Sequence, residues 1–161
     1  MCTPDIKVFW RAVLVLTGVV ILNPVVIAAN VPENFRVVDG MAIYLGVMPA
    51  QIVRGHPRTH PEARMHGGVP IAGYRDHIVV ALFDNTTGQR IQDAQGTGSV
   101  MEIGRGSEQK RLEPMRIADS VTYSNYFDIP GNNIYHIKVQ IRRLGVPGSV
   151  EAQFTHRHFN D

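Results

Sequence analysis

Thirty residues, Met48–His77, hold four of the chain's seven histidines (His56, His60, His66 and His77) and two of its six methionines (Met48 and Met65). Imidazole nitrogen and thioether sulfur together suit soft, thiophilic metals, copper above all. His66 stands in Met65-His66-Gly67-Gly68, where glycines let the backbone approach a partner closely. His77 opens a nearly unbroken apolar run, and Met48 lies at the exit of another, just before Pro49. If Met48 and His77 fall on neighbouring strands, the segment between them can fold back and bring His66 beside both. The metal set read from the sequence is therefore His66 and His77, with Met48 or Met65 as sulfur donor. Met115 or Glu62 could complete it. His56 and His60 have i, i+4 spacing, which would align them on a helix. Pro57 and Pro61 follow them directly and oppose helix there, so the pair reads as solvated loop imidazoles.

Other polar groupings carry less. His156 and His158 in Phe154-Thr155-His156-Arg157-His158 would share one face of a strand, and such a pair can chelate a metal. Its terminal position favours a solvated edge strand. His136 would join the pair if the two strands were neighbours. Asp76 beside His77, with Glu62 nearby, could be imagined as acid and base. No nucleophile elbow, phosphate loop or persuasive carboxylate pair accompanies them, so no enzyme activity is expected. Gln109-Lys110-Arg111 and Arg142-Arg143 read as solvated turn and edge charges.

The elements that must position these residues are strands. Short apolar runs are split by Gly, Pro, Asn and Asp, with no helical period after the first thirty residues. Phe35–Val38 and Met41–Val47 flank Asp39-Gly40, a strong hairpin signal, and the second strand can extend to Val53. Residues 54–74 are broken by prolines and glycines and read as one long loop, a length that is functional or disordered in small domains. His77–Asp84 should be a central strand buried on both faces. Ile91–Ile103 follows, with a bulge at Gly96 or Gly98. Arg111–Ile117 is pushed toward an edge by Pro114. Val121–Ile129, an alternating Ile134–Arg143 and Val150–His158 complete the set. Gly131-Asn132-Asn133-Ile134-Tyr135 resembles a tyrosine corner, in which the phenol bonds back to nearby backbone. The whole predicts an all-β, immunoglobulin-like Greek-key β-sandwich of seven or eight strands.

The N-terminus has an export layout: Lys7 and Arg11, an apolar run Ala12–Leu22, the breaker Asn23-Pro24, then Val26-Ile27-Ala28. Residues 1–28 are expected to be a signal peptide cleaved after Ala28, with Ala29 the close alternative, leaving one domain over 29–161 and no stable membrane span. The single cysteine, Cys2, falls inside that signal. The exported chain would then offer no thiolate and no disulfide, which fits a bacterial periplasm better than a disulfide-stapled secreted scaffold. The 16 basic and 14 acidic residues, less Lys7, Arg11 and Asp5, leave a charge close to neutral. Nucleic acid, which requires a basic face, is excluded as a partner.

His66-Gly67-Gly68, the strand His77–Asp84 with Gly88, Asp93-Ala94, and then Glu113-Pro114-Met115 follow an order similar to small exported β-sandwich proteins that handle copper. CopC-type copper proteins are the nearest named group. The resemblance implies the sandwich architecture and copper handling. CopC-type proteins typically present a ligand histidine at the mature N-terminus and a Met-rich loop, whereas this chain would begin at Ala29 or Asn30 with scattered methionines, so no ligand is carried over. The function expected is periplasmic binding of a copper ion in delivery, storage or tolerance. The alternative is an interaction module that binds a periplasmic partner protein through the 54–74 loop.

Overall fold

The computed structural model describes residues 32–159 except Arg58 and Ala72. The expected signal peptide, with Cys2, lies outside the described residues. Eight antiparallel strands make up the domain: β1 (Phe35–Val38), β2 (Met41–Pro49), β3 (Arg75–Asp84), β4 (Ala94–Glu102), β5 (Ser107–Ile117), β6 (Ser120–Asp128), β7 (Ile134–Arg143) and β8 (Val150–Arg157). Hydrogen-bonded neighbours run β1-β2-β3-β6-β5-β4-β7-β8. β5 belongs to two sheets. Its first half, to Leu112, pairs with β4, and its second half, from Glu113, pairs with β6. The sheet thus folds over itself into a sandwich with Greek-key order.

The core lies between the two layers. Ile43, Leu45, Ile78, Val80, Leu82, Tyr123 and Phe127 face Leu112, Val100, Ile137, Val139, Ile141 and Phe154. β7 alternates as the sequence predicts, with Tyr135, Ile137, Val139 and Ile141 buried and the residues between them exposed. β3 is central, between β2 and β6. Asp39 and Gly40 both take positive φ, 47° and 74°, the twist a two-residue hairpin turn needs. The Tyr135 hydroxyl donates to the Pro130 carbonyl, so the tyrosine corner is present.

Four sequence expectations change. β2 stops at Pro49, and Ala50–Arg54 is a short helix, α1, rather than more strand. The expected loop 54–74 contains a second short helix, α2 (Pro61–Arg64), and a 3-10 turn at Met65–Gly67. Neither bulge forms at Gly96 or Gly98, since β4 pairs with β7 without interruption from Ala94 to Glu102. These glycines exist because side chains crowd them. A Cβ on Gly96 would meet Ile141 Cδ1 at 2.8 Å, and one on Gly98 would meet Phe127 Cζ at 3.0 Å. Lys110 is in a strand rather than a turn. Its ammonium donates to the Tyr126 carbonyl at 2.6 Å and lies over the Phe127 ring. No helix among the described residues is long and apolar enough to cross a membrane.

Candidate metal centre

A strand's side chains alternate between faces, so β3 divides its first residues between two environments. Ile78, Val80 and Leu82 point into the core. His77 points to the outer face of the first sheet. Register places Met48 of β2 on one side of His77 and Tyr126 of β6 on the other. These three form one row across β2, β3 and β6. An outer sheet face normally meets water, yet His77 is fully buried and Tyr126 nearly so. The cover is the segment that follows β2. Ala50 and Val53 of α1 are fully buried, and the two ends of the segment are clamped to one another: Gln51 Nε2 donates to the Gly73 carbonyl at 3.1 Å and Arg54 to that of Ile71 at 3.2 Å.

His66 reaches the row from this cover. It has φ 56°, and Gly67 and Gly68 follow at 77° and 102°. Three successive positive φ values reverse the chain, which glycine tolerates without penalty and histidine does not. Nothing lies within 4 Å of a Cβ built on either glycine, so the glycines serve handedness and not close approach. The turn carries the His66 ring inward until its side chain is only 4% exposed.

The result is a compact aromatic and imidazole group. The His66 and His77 ring centroids are 5.7 Å apart. His77 stacks on Tyr126 at 4.6 Å, and His66 meets the same ring edge-on at 5.4 Å. Glu113 Oε2 lies 3.0 Å from His66 Nδ1, and Ser124 Oγ lies 3.3 Å from Nε2. Glu113 thus stands beside Nδ1, where it can hold that nitrogen's proton, and the Ser124 hydroxyl is the hydrogen-bond partner of Nε2. Both nitrogens of His77 are buried and have no hydrogen-bond partner. Buried polar atoms are nearly always satisfied, so the two orphaned nitrogens make this ring a candidate ligand. Burial, reinforced by the neighbouring His66, lowers the His77 pKa to about 4. His66 is also lowered, by burial against the opposing pull of Glu113.

The donor set fits copper. Two imidazoles bound to one ion through ~2.0 Å bonds hold their centroids roughly 5–6 Å apart, as His66 and His77 do. Met48 supplies a half-buried thioether on the same face as His77. Glu113 matches the carboxylate that orients a metal-bound histidine through its second nitrogen. Of the residues named from sequence, the fold brings together His66, His77 and Met48. Met65, half-buried beside His66, stays on the covering segment. Met115 shares the Glu113 face of β5, but its partner is Thr122, four residues along β6 from the Tyr126 of the His77 row. Glu62 is in α2. His56 and His60 flank Pro57 outside both helices, with rings 4.4 Å apart. Glu113, Ser124 and Tyr126 were not singled out as ligand partners, because only strand register brings them to His66 and His77.

The C-terminal histidines differ from their sequence reading. His156 pairs with Tyr135, while His136 pairs with Thr155, so His136 faces away from them. His156 and His158 turn inward, and His158 Nδ1 lies 3.2 Å from Asp76 Oδ2. Asp76 and His77, adjacent in sequence, therefore serve opposite faces of β3 and cannot act as one acid–base pair.

No family's sequence profile matches the chain, and no curated protein matches it. Solved structures do. A DUF4426 family protein from Pseudomonas aeruginosa has a TM-score of 0.59 at 16% identity, covering 79% of this chain and 94% of that one. A copper-bound variant of FetP from uropathogenic Escherichia coli strain F11 has a TM-score of 0.56 at 12% identity, covering 77% and 93%. A copper-bound variant of Campylobacter jejuni P19 has a TM-score of 0.52 at 11% identity, covering 77% and 93%. The chain thus has the fold of small β-sandwich proteins whose structures hold copper, as the sequence resemblance implies.

Proposed function

We propose that the protein is a periplasmic, non-enzymatic copper-binding protein that holds the ion between His66, His77 and Met48 for delivery, storage or tolerance. The observation that carries this reading is His77: a fully buried imidazole with neither nitrogen partnered, beside a second histidine and opposite a thioether. A core histidine kept for packing would have at least one hydrogen bond. Metal ligation satisfies one nitrogen directly and requires the neutral ring, which is the form that burial enforces here. Three of the similar structures are copper-bound, and one FetP structure comes from protein expressed in the periplasm. Both likenesses support the reading at the level of fold.

Copper would supply a soft Lewis-acid centre. The chain's own residues do the rest. Glu113 fixes the His66 tautomer, Tyr126 holds both rings by stacking and edge contact, and the 50–68 segment excludes water. The alternative, a partner protein docking on residues 54–74, requires that segment to be available. Its inner side is occupied covering His77. Titration of metal-free protein with Cu(I) and Cu(II) tests the reading. Binding near one equivalent should disappear in the His66→Ala, His77→Ala double variant. Unchanged affinity in that variant would remove the site.

A further inference from the structure

A second group of metal-binding side chains lies on the other face of β3. Asp76 is 4% exposed and pairs with Phe127 on the core side of the first sheet. From the second sheet, β8 directs His156 to the Tyr135 side. The chain then continues to His158, whose backbone N–H donates to the Asn133 carbonyl at 3.0 Å. One donor atom each from Asp76, His156 and His158 lie within 4.8 Å of one another. His156 Nε2 is buried with no hydrogen-bond partner. The group joins the start of β3 to the end of β8.

We propose that Asp76, His156 and His158 form a second metal site, taking a divalent ion of borderline hardness in the class of zinc and ferrous iron. Two neutral imidazoles and one carboxylate carry a single negative charge, which offsets half the charge of a divalent ion. The set has no sulfur, so it lacks the preference for Cu(I) that Met48 gives the first site, and two histidines with one carboxylate are a common set for zinc and iron. A buried carboxylate needs a charged partner. A metal ion held between Asp76 and the two imidazoles would be such a partner. The orphan nitrogen of His156 is what distinguishes this arrangement from a plain Asp76–His158 ion pair, which would give His156 no role.

Co2+ is the probe, because its visible d–d bands report nitrogen and oxygen ligands directly, with Zn2+ competition to follow affinity. The metal-free protein should bind about one equivalent of Co2+, displaced by Zn2+. The His66→Ala, His77→Ala variant should retain it. His156→Gln should weaken it by more than about tenfold, as ligand-shell changes do, and Asp76→Asn should do the same. His156→Gln removes a half-buried ring, and thermal unfolding without metal confirms that it folds. Cu(I) affinity of that variant should be unchanged, which separates this site from the first. Co2+ binding that is indifferent to His156→Gln, or that vanishes in the His66→Ala, His77→Ala variant alone, would overturn the proposal and leave an ion pair.

Discussion

His77 sets stability against the proposed copper binding at a single residue. Leaving buried polar atoms unsatisfied costs about 1–3 kcal/mol, and His77 leaves two. His77→Leu replaces the ring with an apolar side chain of similar volume. In metal-free protein it should be neutral or stabilising by about 1 kcal/mol in urea unfolding, while copper binding is lost. A loss of stability beyond about 2 kcal/mol would show that the ring is a packing element. The same residue makes stability depend on pH. The unfolded chain protonates His77 near pH 6.5, whereas the folded protein resists until about 4. Its contribution is full above the unfolded value and declines as pH falls through that interval, in the same direction as His66 and His156, which burial also lowers. The limit for His77 is about 3 kcal/mol at 1.36 kcal/mol per unit. Urea unfolding at about pH 7 and about pH 5 should show the loss, and His77→Leu should flatten it. In the proposed site Glu113 would position His66 without touching the ion. Glu113→Gln should weaken copper binding by about 10–100-fold with little change in unfolding midpoint, because its side chain is half exposed.

At the scale of elements, the glycines of β4 decide how closely the sheets approach. Replacing glycine with alanine normally gains about 0.4–1 kcal/mol by restricting the unfolded chain. At Gly98 the new Cβ would sit 3.0 Å from Phe127 Cζ and 3.1 Å from Leu112 Cδ2, both fully buried. Overpacking of that kind costs about 1–3 kcal/mol and wins. Gly98→Ala should therefore lower the urea midpoint, and an unchanged or raised midpoint would mean that the two sheets can separate at no cost. The strands themselves were legible in the sequence, because alternation and turn chemistry are local. Ile134–Arg143 and the Tyr135 corner were readable to the residue. Pro114 pointed to an edge, and the edge is a local one: beyond Leu112, β5 has left β4 and pairs only with β6. What stayed hidden is non-local. The two-sheet course of β5 puts Glu113 beside His66, and the Asp76–His156–His158 group needs β3 and β8 from opposite layers. No spacing within the chain encodes either meeting. The short helices were hidden for a different reason, since one helical turn is too short to show a period.

For the molecule as a whole, the first site joins a covering segment to a rigid sheet. His77 and Met48 are fixed by the ladder of β2 with β3, while His66 rides on the 3-10 turn of the cover. An ion bound to all three would tie the cover down. It would favour the folded state by mass action, about 2.7 kcal/mol at free copper 100 times the dissociation constant. For a domain of this size that corresponds to a rise in Tm of roughly 5–15 °C. The rise should scale with the logarithm of free copper and be absent in the His66→Ala, His77→Ala variant. Hydrogen exchange locates the effect. A cover held by packing and the His66 contacts is expected to open by lower-energy local fluctuations than the core, so copper should slow amide exchange in 54–74 while the β4–β7 ladder, already governed by global unfolding, changes only as far as overall stability does. If copper raised Tm with no added protection in 54–74, His66 would not be a ligand, and the ion would be held by the sheet alone.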